Sequence, residues 1–280
     1  MSAVFRRNVL AGRTSRLPQT PSAGPLTRTG RSAAATLRRV EHAMGMPILV
    51  DVRDDPGDGA AIDGVFSWFR WVDETFSTYV EGSEINRIDR GELRLEDAHP
   101  VVRGVLERCD DLRLATRGYF DVRAGGRLDP SGLVKGWSVD RAADILRAAG
   151  IRNFAVNAGG DIRLSGRAVP SPHWTVGIQH PQERTRIAAI VRANDLAVAT
   201  SGTYARGDHV LDPYTRRPPS GVLSVTVVGA QLATADAYAT AAFAMGGEAG
   251  PHWTARLRGY EAMTILADET VLSTGGFPGD

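Results

Sequence analysis

Apolar residues recur along this chain at two spacings, and the switch between them predicts its elements. Residues 46–52 (MPILVDV) form a short apolar run closed by the turn cluster DDPGDG, which reads as a strand. In residues 60–76, Ile62, Val65, Phe66, Phe69, Trp71 and Val72 fall close to helical spacing with a wide apolar face. In FSTYVEGSEINRI, a loop carrying Ser77, Thr78 and Tyr79 precedes a short helix starting near Ser83, with Asn86 and Arg87 on it. A second helix is expected over residues 100–116, stopped by Arg117 and Gly118, and an amphipathic one over 138–149, stopped by Gly150. Strands are expected at 154–156, 162–164, 174–179, 187–191, 196–200 and 223–228, a small-residue helix at 234–245, and a closing hairpin from 262–266 and 270–273. Strands and helices cluster rather than strictly alternate, which predicts an α+β fold with an antiparallel run, not a doubly wound parallel sheet.

At 280 residues and 42% hydrophobic, the chain can bury a sizeable core, as one large domain or two packed halves. The net charge of +1 hides an asymmetry. Arginines at 6, 7, 13, 16, 28, 31, 38 and 39 precede the first acid, Glu41, so the remainder is acidic and argues against a nucleic-acid-binding core. Residues 1–40 have no apolar periodicity to bury and read as a basic, disordered leader; residues 41–280 read as one domain. Around Phe5 the apolar stretch is interrupted by Arg6, Arg7 and Asn8, short of the roughly 7–15 apolar residues of a secretory signal. No run approaches the roughly 18 apolar residues of a membrane span, so no integral membrane segment is expected. A single cysteine, Cys109, fits a reducing cytoplasm.

Lys135 is the only lysine; every other basic side chain in the Lys+Arg total of 33 is arginine. A compact ammonium on a flexible stem suits phosphate contact in a tight pocket better than a planar guanidinium fork. Four further clusters stand out, three of them with a plainer reading beside the chemical one. Asn157-Ala158-Gly159-Gly160-Asp161 lets the backbone approach a ligand and offers an acid for a sugar hydroxyl or ring N–H, or is a hairpin turn. Thr200-Ser201-Gly202 ends a strand with two hydroxyls suited to phosphate oxygens. Asp208-His209-Val210-Leu211-Asp212-Pro213 sets an imidazole between carboxylates, as a base with its orienter or as an ordinary polar loop. Asp236 and Thr240, four apart on one helix face, suit a hard cation, unless Asp236 only complements the helix dipole in the first turn. Together with the lysine these are the parts of Mg²⁺-assisted phosphoryl chemistry.

From about Ala43 onward these residues resemble the ApbE family of FAD:protein FMN transferases. The resemblance rests on seven ordered motifs: HAMGMP, FSTYVEGSEINRI, GYFDV, LDPSGLVKGWSVDRAADIL, FAVNAGGDI, VATSGTYARGDHVLDPYTRRP and SVTVVGAQLATADAYATAAFAMG. It implies an ApbE-like (T-fold-like) arrangement of antiparallel sheets flanked by helices, with the FAD site between two halves. It further implies that Met44, Tyr79, Tyr119, Phe120, Asp121, Asp129, Lys135, Gly159, Gly160, Asp161, Thr200, Ser201, Gly202, His209 and Val210 line the FAD site. Mg²⁺ would be held by Asp236, Thr240 and the Gly132 carbonyl, with Lys135, His209 and Asp212 as catalytic candidates. The implied reaction moves FMN from FAD to a threonine hydroxyl of an acceptor protein with a Thr/Ser target motif, releasing AMP. Hydrolysis of FAD to FMN and AMP, or FAD binding without catalysis, are the competing readings. In one departure from the family, only residues 122–128 separate Asp121 from Asp129, where members usually carry a longer insertion. Many members are also exported, and this chain shows no export signal.

Overall fold

The computed structural model describes residues 5–9, 36–183, 185–202 and 210–279. Among them a nine-stranded, wholly antiparallel sheet runs in the order β1-β11-β10-β9-β8-β5-β4-β3-β2. Its strands are β1 (Arg6–Val9), β2 (Leu37–Ala43), β3 (Met46–Val52), β4 (Phe154–Ala158), β5 (Asp161–Ser165), β8 (Ala197–Gly202), β9 (Val222–Gly229), β10 (Tyr260–Leu266) and β11 (Thr270–Ser273). Strands β6 (Trp174–Gln179) and β7 (Ile187–Ala193) form a separate hairpin. The helices are α1 (Ala60–Phe76), α2 (Glu84–Asp89), α3 (Pro100–Ala115), α4 (Ser131–Ala148), α5 (Leu232–Ala244) and α6 (Gly246–Thr254), with a 3-10 turn at Leu95–Asp97. The expected α+β class with antiparallel sheets and flanking helices is what forms.

Both sheet faces are covered. On one, Ile48, Val50, Val156, Ala199, Val225 and Val227 pack against Phe66 and Phe69 of α1, Val139 and Leu146 of α4, and Ala235 and Ala239 of α5. On the other, Leu164, Val198, Val228 and Ile265 meet Trp174, Val176 and Val191 of the β6–β7 hairpin. Two-sided burial explains why seven of the eight β9 residues are buried, Ser224 and Thr226 among them. A second core lies away from the sheet, where Val72, Ile85, Val105, Cys109, Phe120, Leu133 and Ala237 join the helices and the loop before α4. Each large side chain buried this way contributes about 1.5–3 kcal/mol.

Three boundaries depart from the sequence pattern. Ordered structure extends before Glu41: β2 begins at Leu37, and Arg6–Val9, inside the segment expected to be a disordered leader, pairs with β11. α4 begins at Ser131, seven residues before the expected start. Gly132 and Gly136 break the pattern there, yet a Cβ at Gly136 would lie 2.5 Å from the Leu232 carbonyl oxygen. The glycine is what lets α4 cross α5 at backbone contact, and tertiary packing overrides its poor helix propensity. α6 was not expected at all, because GGEAGPHWT carries three glycines and Pro251.

Candidate active site

Four elements converge at one end of the sheet's helix-covered face. The β4–β5 hairpin delivers Asp161: Ala158 pairs with Asp161, leaving a two-residue loop of Gly159 and Gly160 at φ 59° and 103°. Positive φ at both positions is the requirement of such a turn. Asn157 Oδ1 accepts from Gly160 N at 2.9 Å. The hairpin turn is thus what forms, and its tightness places Asp161.

Asp161 is 1% exposed and Asp236 2%, while the Lys135 side chain keeps 25% of its surface. Lys135 Nζ lies 2.7 Å from Asp161 Oδ2 and 3.4 Å from Asp236 Oδ1. Each carboxylate also accepts a backbone donor: Thr200 N to Asp161 Oδ1 and Gly136 N to Asp236 Oδ2, both at 3.0 Å. Burial opposes the lysine's charge, but the two carboxylates outweigh it and hold its pKa above the ordinary lysine value. Burial, only partly offset by Lys135 and reinforced by repulsion from Asp161, raises the pKa of Asp236. With both carboxylates ionised, one ammonium would leave the cluster one positive charge short, a costly deficit in a buried site that Asp236 meets by holding its proton more tightly.

Asp236 sits in the second turn of α5, which begins at Leu232 with no acid in its first turn. The dipole reading of Asp236 therefore loses its basis. One turn on, Thr240 Oγ1 lies 3.3 Å from Ser201 Oγ. Gly132 lies against the same hydroxyl: a Cβ there would sit 3.4 Å from Thr240 Oγ1 and 3.2 Å from the Phe120 ring. Lys135, Gly132, Phe120, Asp161, Ser201, Asp236 and Thr240 are thus brought together. The two hydroxyls of Thr200-Ser201 part company, because alternate strand residues point to opposite faces. Thr200 Oγ1 bonds to Thr226 Oγ1 at 2.9 Å within the sheet, and only Ser201 reaches Thr240.

The remaining candidates are held by other partners. Met44, at φ 54° in the β2–β3 turn, offers Sδ to the Ser138 hydroxyl at 3.9 Å. Tyr79 is 89% exposed on a loop fixed from beneath, where Asn86 Nδ2 donates to Ser77 O and Val80 O and Ser83 Oγ donates to Ser77 O. Tyr119 meets Tyr214 edge to face with centroids 5.1 Å apart. Asp121 Oδ1 accepts from Arg123 N, and Asp129 Oδ1 from Ser131 N at the start of α4. The short connection between those acids is tied to α2 by Leu128 N and Arg123 on Asp89 and by Arg127 on Asn86. Gly202 closes β8, and Val210 packs on the sheet core. Asp212 spends its carboxylate on its own turn, accepting from Tyr214 N at 2.9 Å and Thr215 Oγ1 at 3.0 Å. His209 lies outside the described residues.

Two structural residues escaped the sequence reading. Gly136 supplies the amide that holds Asp236. Asp140, one turn further along α4, accepts from Leu232 N at 3.1 Å and Ala233 N at 2.9 Å, capping α5. The two helices therefore clamp each other, α4 capping α5 while α5 accepts from α4. An Asp one turn after a glycine inside a helix was the only signal available in the sequence.

Comparison with known proteins bears on the family and the fold. The model of the ApbE family matches residues 123–264, half of the chain. The FAD:protein FMN transferase of Vibrio cholerae is 39% identical over 133 residues, covering 44% of this chain and 40% of the relative. That of Rhodobacter capsulatus is 34% identical over 171 residues, covering 54% of this chain and 32% of the relative. The matched segments thus span well under two thirds of either relative's length. The solved flavin transferase ApbE from Vibrio cholerae superposes with a TM-score of 0.76 at 25% identity, over 87% of this chain and 98% of that one.

Proposed function

Since this chain belongs to the ApbE family, we propose that it is a flavin transferase, moving the FMN moiety of FAD onto a hydroxyl of an acceptor protein. The observation that carries the reading is the buried cluster of Lys135, Asp161 and Asp236, two carboxyl groups to one ammonium, beside the Ser201–Thr240 hydroxyl pair. Such a cluster favours a hard cation and, once that is bound, an anionic diphosphate.

The residues present fit Mg²⁺. A buried carboxylate, a hydroxyl one turn away and a glycine with no side chain to block its approach are oxygen donors of the kind a small divalent ion takes. Asp236, Thr240 and the Gly132 carbonyl would hold it, and it would supply charge neutralisation at the diphosphate and polarise the phosphorus. The protein's own groups do the rest. Lys135, anchored by Asp161, faces the phosphate oxygens as charge moves onto the leaving group. The acceptor's threonine oxygen forms a bond to the FMN-side phosphorus, the bond from that phosphorus to the bridging oxygen breaks, and AMP departs. The hydroxyl proton goes to a base, for which His209 and Asp212 are the candidates. Asp212 is already committed to two donors, so variants at both positions decide the assignment.

The test is direct. Purified protein incubated with FAD, Mg²⁺ and a threonine-bearing flavin-acceptor domain yields a fluorescent band that survives denaturing electrophoresis, and Lys135→Ala and Asp236→Ala abolish it. No covalent flavin under these conditions overturns the reading, and AMP release without acceptor marks FAD hydrolysis instead.

A further inference from the structure

We propose that Lys135 is the metal site's own stand-in cation: without a divalent ion its ammonium bridges Asp161 and Asp236, and an ion arriving at Asp236 displaces it onto Asp161 alone. The inference rests on the reading that Asp236, Thr240 and Gly132 receive the metal.

Three observations carry it. The bridge is asymmetric, 2.7 Å to Asp161 and 3.4 Å to Asp236, so the contact at the metal-side carboxylate is the weaker one. The two posts are held independently of the ammonium, Asp161 by the Thr200 amide on β8 and Asp236 by the Gly136 amide on α4, so neither needs Lys135 to stay in place. The charges of the metal-bound state also count correctly: a divalent ion, one ammonium and two ionised carboxylates sum to +1, which an anionic diphosphate then balances.

This arrangement gives a physical reason for the single lysine in a chain otherwise built on arginine. An ammonium on a flexible stem makes point contacts it can give up one at a time. A guanidinium set between two carboxylates would engage both through its fork and hold the site shut. Asp161 becomes a positioning residue, the post to which Lys135 retreats, rather than an acid exposed to the flavin.

The experiment measures metal binding, not turnover, on the full chain. Mn²⁺ affinity is read from the free-ion electron paramagnetic resonance signal for wild type, Lys135→Met and Lys135→Arg, with Asp236→Asn as the non-binding control. A simple field effect leaves Lys135→Arg unchanged, because the charge is kept. Displacement predicts that Lys135→Met binds more tightly and Lys135→Arg more weakly, by about tenfold or more, since an ion contact at this range is strong in a poorly solvated site. A second measurement needs no variant. Protein made with ¹³C-lysine gives one Cε–Hε cross-peak from residue 135, and saturation with Mg²⁺ moves it. A stationary peak in protein that binds the ion, together with wild-type affinity in Lys135→Arg, overturns the proposal while leaving the metal site standing. Absence of Mn²⁺ binding in wild type and Lys135→Met alike overturns both.

Discussion

Replacing Gly136 with alanine adds one methyl group at the closest approach of α4 and α5, and the consequence follows from geometry. The new Cβ would lie 2.5 Å from the Leu232 carbonyl oxygen, 2.8 Å from its carbon and 3.0 Å from Ala233 Cα. All three are backbone atoms, so no side-chain rotation relieves the contact, and the helices must separate by about 1 Å to reach van der Waals distance. Overpacking of this kind costs about 1–3 kcal/mol. Separation also stretches the 3.0 Å bond from Gly136 N to Asp236, and a hydrogen bond to a charged group is worth about 1.5–3 kcal/mol. Against this stands a helix-propensity gain of about 1 kcal/mol. The net loss is about 2–4 kcal/mol, and at about 2–4 °C per kcal/mol for a large domain the melting temperature falls by about 5–15 °C. Gly104, on the exposed side of α3 with nothing within 4 Å of an added Cβ, makes the control. There the same substitution keeps only the propensity gain and raises the melting temperature by about 2–4 °C. Thermal denaturation of the two variants beside wild type should show opposite signs. A Gly136→Ala protein that melts at or above wild type would refute the helix-contact argument.

Three other outcomes follow from the same structure. Burial works against the charge of Asp54, but bonds from Asn153 Nδ2, Asn153 N and Arg152 N, each 2.6 Å, outweigh it and hold its pKa below the ordinary aspartate value. A depressed folded-state pKa adds stability that is present above the unfolded value, about 4, and is lost as pH falls through the folded one. Asp54→Asn should therefore lower stability at pH 7 and flatten its loss on acidification below about pH 4, as read from urea midpoints across that range. Burial pushes the Cys109 thiol up to about 12, so an Ellman titration should find no reactive thiol in native protein and one after denaturation. Asp140→Ala leaves the Leu232 and Ala233 amides without their acceptor and should cost about 1–2 kcal/mol in a denaturant titration.

Much of the molecule is legible in the linear pattern, and the misses share a cause. The apolar spacing of α1 and the short runs of β3, β6 and β9 mark elements that form where expected, because their periods of 3.6 and 2 residues are local properties of the backbone. The motif around Ser83 and Asn86 is visible too, although its job proves to be holding the Tyr79 loop from beneath. The early start of α4 and the existence of α6 are not visible, since glycine and proline argue against helix until a neighbouring helix packs onto them. Gly250 illustrates this, where a Cβ would come within 2.4 Å of the Ala242 carbonyl oxygen.

The candidate site divides along the same line. By itself the sequence determined that one lysine stands among arginines, that two glycines precede Asp161, and that Asp236 and Thr240 share a helix face. Those facts follow from residue identity and short-range periodicity. Only the tertiary structure decided that Lys135 lies between Asp161 and Asp236, that Ser201 rather than Thr200 meets Thr240, and that the Gly136 amide fixes the Asp236 carboxylate. The reason is that β5, after pairing with β4, pairs next with β8 across the β6–β7 excursion, and α5 then lies over that junction. Strand order sets which charges become neighbours, and Coulomb interactions in a buried site depend on that separation in space, not on separation along the chain.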